Sequence, residues 1–242
     1  MTGFRNQIAL VTGAGSGIGR AIALALAERG AGLVLVARRL ETLEAVAASA
    51  SCTPGSCRCH AMDLSRDPAV EDLCRTIERD PGRLDILVHA AGVFRAGSLE
   101  QALPEEFDEQ YRLNLRAPYL LTRGVLPLLK LSRGQIVFVN STAGLDARAT
   151  VSQYAATKHA LKALADSVRE ELNPHGVRVL SVYAGRTATP MQERVHEYEH
   201  RPYRPETLLQ PEDVASVVVS ALGLPPTAEV TDIRIRPMIK PA

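Results

Sequence analysis

Tyr154 and Lys158 stand four residues apart at the start of a helical stretch, so both side chains rise from one face of that helix. A phenol with an ordinary pKa of about 10 is a poor acid or base at neutral pH, but a neighbouring ammonium favours the phenolate and draws that value down. The pair suits proton transfer to or from an oxygen. Ser141 closes an apolar run in Asn140-Ser141-Thr142-Ala143-Gly144, thirteen residues before Tyr154. A strand ending there would deliver its hydroxyl to a ligand crevice, although a strand-end serine also serves as a plain turn cap.

A second constellation lies near the amino end. The run Thr12-Gly13-Ala14-Gly15-Ser16-Gly17-Ile18-Gly19 follows an apolar strand and opens a helix. Glycines there allow a tight turn and a close backbone approach to a pyrophosphate, whose charge the free N–H groups of the helix start would stabilise. No Lys-Ser or Lys-Thr follows, so it is not the phosphate loop of nucleotide hydrolases, and Ile18 breaks G-x-G-x-x-G counted from Gly13. The fitting pattern is T-G-x-x-x-G-x-G, through Thr12, Gly13, Gly17 and Gly19, with Gly15, Ser16 and Ile18 in the same cradle. At the end of the second strand, where an acid would bind the ribose hydroxyls of NAD, stands Ala37, followed by Arg38 and Arg39. Guanidinium groups there suit a 2′-phosphate, which points to NADP(H), with Arg38 the better placed of the two.

These residues need a frame. Apolar runs alternate with helix-period stretches from end to end, the pattern of repeated βαβ units: an α/β, doubly wound, Rossmann-type single domain over residues 1–242. About seven parallel strands are expected, at Ile8–Val11, Leu33–Ala37, Cys57–Met62, Ile86–His89, Ile136–Asn140, Val177–Tyr183 and Val230–Ile235. Helices are expected at Ile18–Arg29, Leu40–Ala50, Ala69–Arg79, Pro104–Lys130, Ser152–Leu172 and Pro211–Leu222. Pro118 and Pro127 should kink or break the fourth of these. Gly185–Gln210 has no clear period and reads as an irregular substrate-binding loop.

With 28 Lys and Arg against 27 Asp and Glu, the chain has no overall field to attract nucleic acid or an anionic membrane. No apolar run is long enough to cross a bilayer, and no signal-peptide pattern precedes the first strand, so a cytoplasmic protein is expected. Cys52, Cys57 and Cys59 lie near His60, but the paired short C-x-x-C knuckles of structural zinc sites are missing, and free, half-buried thiols are the expectation.

Taken together, the glycine turn, the strand-end Ser141 and the Y-x-x-x-K pair resemble the short-chain dehydrogenase/reductase family, over roughly Gln7 to Ile235. The resemblance implies an enzyme that moves a hydride between NADP(H) and a carbonyl or secondary alcohol carbon of a small molecule. It implies Tyr154 as acid/base, Lys158 lowering its pKa and holding the nicotinamide ribose, Ser141 bonding the substrate oxygen, and Asn114 holding a relay water. It also implies Asp63 on the adenine with Leu64 beside it, Ala90, Ala91 and Gly92 under the cofactor, and Gly185 and Thr189 at the nicotinamide end. A homodimer or homotetramer is implied as well, through the helices at Ser152–Leu172 and Pro104–Lys130. Two departures stand out: His89-Ala90-Ala91-Gly92 replaces the family's N-N-A-G, and Ala184-Gly185 its Pro-Gly, so a looser fourth strand and nicotinamide turn are expected. The alternative is a dinucleotide-binding regulator without redox chemistry, in which the tyrosine or lysine would have drifted; all four positions, Asn114, Ser141, Tyr154 and Lys158, are intact.

Overall fold

The computed structural model describes residues 3–50, 52 and 55–239. Seven parallel strands form one sheet in the order β3-β2-β1-β4-β5-β6-β7. They are β1 Ile8–Thr12, β2 Gly32–Ala37, β3 Cys57–Ala61, β4 Ile86–His89, β5 Gln135–Ser141, β6 Arg178–Ala184 and β7 Asp232–Ile235. Side chains alternate across each strand, so Leu33 and Leu35 enter the core on one face while Val34 and Val36 enter that on the other. Burial on both faces is why these strands read as continuous apolar runs.

The first core is covered by α1 Gly17–Glu28, α2 Leu40–Ser49 and α8 Pro211–Leu222, and the second by α3 Asp67–Arg79, α5 Ala117–Ser132 and α6 Ser152–Leu172. In α3, Val70, Leu73 and Ile77 recur at helical spacing and are the buried residues of an otherwise charged helix. Strand and helix ends fall within about two residues of the sequence expectation, as end fraying allows.

One expectation holds and one needs correction. The long helix divides, just ahead of Pro118, into α4 Pro104–Tyr111 and α5: one π turn over Arg112–Arg116 joins them, with the Ala117 N–H bonded to the Arg112 carbonyl five residues back. Pro118 lies in the first turn of α5, where its missing N–H costs little, and Pro127 sits inside α5 without ending it. The segment 185–210 is not irregular throughout. It contains α7 Pro190–Tyr198, started by Pro190 and by the Thr189 hydroxyl accepting the Gln192 N–H at 3.2 Å, and a short 3₁₀ turn at Pro205–Thr207. Helix α7 is mostly polar, which hid its period.

The strand order reverses between β1 and β4, and one side chain ties the two ends. The buried Thr12 Oγ1 accepts the N–H groups of Ala90 and Ala91, both at 3.1 Å, and donates to the Val88 carbonyl at 3.2 Å. Thr12→Val keeps the shape but strips both N–H groups of their acceptor, and should lower unfolding free energy by about 1–3 kcal/mol in urea titration.

Candidate active site

The carboxyl ends of β1, β4, β5 and β6 converge around the crevice. Gly13 and Gly19 serve packing there: a Cβ on Gly13 would lie 2.7 Å from the Ala90 carbonyl oxygen, and one on Gly19 would lie 2.4 Å from that of Gly13. Gly15 and Gly17 keep the cradle open, since a Cβ on Gly15 would lie 2.6 Å from Thr42 Oγ1 and one on Gly17, at φ +52°, would lie 2.8 Å from Thr189 Cγ2. Ser16 caps α1 without a side-chain bond, and the first turn of α1 carries no acidic residue to compete for its free N–H groups. That cradle fits a pyrophosphate. Arg38 and Arg39 are exposed beside Ala37 at the second strand end.

Tyr154 is half-buried on the first turn of α6, near the Ser141 side chain at the end of β5. Ser141 Oγ also accepts the Ala143 N–H at 3.1 Å, so the capping role and the site role coexist. Lys158, 5% exposed, donates to the Val139 carbonyl at 3.1 Å, with Nζ 5.8 Å from the Tyr154 ring centroid. The electrostatics differ from expectation. Burial pushes the Tyr154 phenol up to about 12, the nearby Ser141 hydroxyl pulling the other way, and burial brings the Lys158 ammonium down to about 8. The expected lowering of Tyr154 by Lys158 is absent from this geometry, because the ammonium is turned to the strand carbonyl and lies against the ring instead of the hydroxyl.

Asn114 sits within the π turn, 1% exposed. Its side chain clamps Val93, accepting that N–H at 2.8 Å and donating to that carbonyl at 2.9 Å, and Nδ2 also reaches Thr157 Oγ1 at 3.2 Å. Both amide protons of Asn114 are thus engaged. Four residues on stands Pro118, which has no N–H to give the Asn114 carbonyl.

Asp63 forms a turn, its Oδ1 accepting from Ser65 N at 3.0 Å and Ser65 Oγ at 2.8 Å. Leu64 and Ala91 line a small cavity with Leu113, next to Thr12 and His89. Gly92 lies under Asn114, and Thr189 faces Gly17 while capping α7. Gly185 donates to the Ile235 carbonyl at 2.8 Å. The expected looseness at both departures from the family pattern is made good by other groups. The Thr12 hydroxyl and the Asn114 clamp hold the strand after His89, and the β7 bond together with a parallel bridge between Thr187 and Leu209 holds the turn after Ala184. His89 is structural: it is buried, shares a 2.8 Å hydrogen bond with Thr122 Oγ1 and stacks on Phe138, and burial brings its pKa down to about 3, leaving it neutral.

Cys57 and Cys59 lie half-buried on one face of β3, and burial raises the Cys57 thiol to about 12. Among the described residues no group of three or more His, Cys, Asp or Glu side chains is arranged to hold a metal. Sequence reasoning missed Gln110, Gln153 and Thr157. The available signal was spacing: Gln110 and Asn114, like Gln153 and Thr157, are polar pairs four residues apart on helices that face each other.

A dinucleotide cradle at the reversal point of a parallel sheet, with a Ser-Tyr-Lys group across the crevice, defines a nucleotide-dependent oxidoreductase of the doubly wound class. The family model described as short chain dehydrogenase matches residues 7–200, and the chain belongs to that family. It is 32% identical to an uncharacterized oxidoreductase of Staphylococcus epidermidis over 239 residues, 98% of this chain and 100% of that protein. Among solved structures it is similar to a metagenomic short-chain oxidoreductase in complex with NADP, at 34% identity and TM-score 0.80 over 98% of this chain and 99% of that one. It is also similar to a 3-ketoacyl-(acyl-carrier-protein) reductase from Brucella melitensis complexed with NADH, at 27% identity and TM-score 0.83 over 96% and 98%. No helix among the described residues is long and apolar enough to cross a membrane.

In the cofactor-free protein the Tyr154 phenol should stay protonated past about pH 10, where an ordinary tyrosine is half ionised. Ser141→Ala should move its ionisation higher still. Ultraviolet difference titration of each protein against its Tyr154→Phe counterpart reads both effects, and a phenol ionising well below that pH would contradict them.

Proposed function

We propose that this chain transfers a hydride between NADP(H) and the carbonyl or secondary alcohol carbon of a small molecule, with Tyr154 as proton donor or acceptor. The observation that carries the reading is that Ser141, at the end of β5, meets Tyr154 and Lys158 on the first turns of α6, with the Lys158 Nζ 5.8 Å from the Tyr154 ring centroid. A substrate oxygen placed between the Ser141 hydroxyl and the Tyr154 phenol would meet one donor that can transfer its proton and one that only orients. When bound, NADP(H) supplies or takes up the hydride at its nicotinamide. The residues that hold it are Gly13, Gly15, Ser16, Gly17, Ile18 and Gly19 for the pyrophosphate, Arg38 with Arg39 for the 2′-phosphate, and Asp63, Leu64, Ala90, Ala91 and Gly92 for the adenine side. Gly185 and Thr189 border the nicotinamide end. Thr12 acts on all of these through β4. Lys158 holds the nicotinamide ribose, and Asn114 holds a relay water at its backbone carbonyl while its amide fixes the loop after β4.

The choice of cofactor has a local cause. One similar structure holds NADP and another NADH, so the fold does not decide. Here Ala37 presents no carboxylate to repel a 2′-phosphate, and Arg38 adds a donor fork for it. The exposure of Arg38 keeps the gain moderate.

Assembly is read from α4 and α5. The apolar stripe of α6 is taken up inside the chain, with Leu161, Ala165 and Leu172 buried and Leu164 and Val168 packed on the same core. Phe107, Tyr111 and Tyr119 remain exposed on α4 and α5 and form the surface for a second copy in a homodimer or homotetramer.

The deciding experiment follows NADPH oxidation and NADP reduction against a panel of ketones and secondary alcohols. Tyr154→Phe should lower turnover by about 10² or more while the cofactor still binds; near-normal turnover would remove Tyr154 from the mechanism and favour the regulator. The parent should prefer NADPH to NADH by about tenfold in kcat/KM, and an Ala37→Asp, Arg38→Leu double variant should reverse the preference. A parent that prefers NADH would sink the NADP reading. Carbonyl reduction should hold below about pH 8 and decline above it, because Lys158 loses its charge there while Tyr154 keeps its proton. Lys158→Arg, charged throughout, should flatten that decline in a pH profile of kcat/KM.

A further inference from the structure

Gln110 and Asn114 use their amides in the same way. Asn114 accepts the Val93 N–H and donates to Thr157. Gln110, 0% exposed, accepts the Arg95 N–H on Oε1 at 3.1 Å and donates from Nε2 to Gln153 Oε1 at 3.2 Å. Gln153 in turn donates to the Leu103 carbonyl at 3.0 Å. Two rungs therefore run from the loop after β4 through α4 and the π turn to α6, pinning the backbone on either side of Phe94. The Phe94 ring meets that of Tyr154 edge-on, with centroids 5.0 Å apart and planes at 70°.

We infer that Phe94 forms the substrate-facing wall beside Tyr154, selecting an apolar aryl substituent on the carbonyl, and that Gln110 is the positioning residue that holds it there. The inference rests on the proposed function. For Tyr154 to reach the substrate oxygen, the carbonyl must lie within hydrogen-bond range of its hydroxyl, which brings one substituent up to the neighbouring half-buried Phe94. The nearest cation on that loop, Arg95, is paired with Glu109 at 2.9 Å, so the wall is not built to meet an acid. The choice of residue at position 110 argues in the same direction. A fully buried amide costs free energy unless both its ends are bonded, and an apolar side chain would fill the space without that cost. What the amide adds is the hold on Arg95 N–H, one residue beyond Phe94.

Kinetics with NADPH on pairs of ketones that differ only in carrying phenyl or methyl beside the carbonyl read the wall. The parent should favour phenyl by about tenfold or more in kcat/KM, expressed in KM, as burial of a ring implies. Phe94→Ala should remove most of that preference, bringing the phenyl-to-methyl ratio of kcat/KM close to 1. Gln110→Met, close in volume, should lower the preference in the parent but change it little further in the Phe94→Ala background, since it acts through that ring. A purely structural role would depress both ketones together and add to Phe94→Ala. Should Gln110→Met not fold, Gln153→Met removes the half-buried end of the same rung and carries the same cycle. A phenyl-to-methyl ratio near 1 in an active parent, or full additivity in the cycle, overturns the inference and leaves the proposed function standing. Absence of turnover across the whole panel overturns the proposed function itself.

Discussion

Between β1 and β4 the chain leaves the sheet toward opposite faces, and a crevice opens where the two exits part. Backbone N–H groups just beyond β4 would be stranded there without a ladder partner. The Thr12 hydroxyl takes two of them and gives its own proton to a third residue of the same strand, so one buried side chain sets the separation of the strand ends. Gly13 can then lie against Ala90 with no Cβ between, and Gly19 against Gly13, which aims the first turn of α1 across the crevice. Every other part of the site is placed relative to that seam.

The opposite wall is built from side chains that replace backbone pairing. Within the π turn the helix advances by one extra residue, which turns Asn114 toward the loop after β4. Its clamp on Val93 and the bond from Thr157 Oγ1 to the Tyr154 carbonyl at 2.8 Å join that loop to the first turns of α6. Polar groups buried this deeply are stabilising only when satisfied, and the amides and hydroxyls of this wall satisfy one another. The same enclosure sets the electrostatics. Burial disfavours charge on Tyr154 and on Lys158 alike, so near neutrality the phenol keeps its proton and the ammonium is close to giving its own up.

The fold and the juxtaposition of Ser141, Tyr154 and Lys158 were legible because each rests on local pattern. Buried parallel strands read as apolar runs, the glycine turn has fixed spacing, and Ser141, Tyr154 and Lys158 keep the order that a strand end and a following helix impose. What could not be read depends on pairing between distant segments. Pro118 and Pro127 suggested breaks, and the helix does divide just ahead of Pro118, but that the division takes the form of a π turn carrying the Asn114 clamp on Val93 is a long-range contact that sequence spacing does not reveal. The polar helix α7 has a cap but little apolar period. The role of Gln110 depends on Arg95 and Gln153 arriving from two other elements. The direction of the Tyr154 shift was likewise out of reach, since it turns on where the Lys158 ammonium points.

The segment after β6 is held differently from the rest of the crevice. A parallel bridge joins Thr187 to Leu209, with Ala188 N–H bonded to the Leu209 carbonyl at 2.8 Å and Leu209 N–H to the Arg186 carbonyl at 3.1 Å. Arg186 also reaches Glu199, at the end of α7, at 2.6 Å. Both feet of the excursion are thus tied to each other and to the sheet, while the residues between contribute few buried side chains, His196 among them. A loop anchored in this way can change its sequence, and so the shape it presents to a substrate, without moving Gly185 or Thr189 at its base. The crevice is thus bounded by two kinds of restraint: Thr12 and Asn114 fix the backbone after β1 and β4, while the Thr187–Leu209 bridge and the Arg186–Glu199 pair fix the ends of the segment that carries α7.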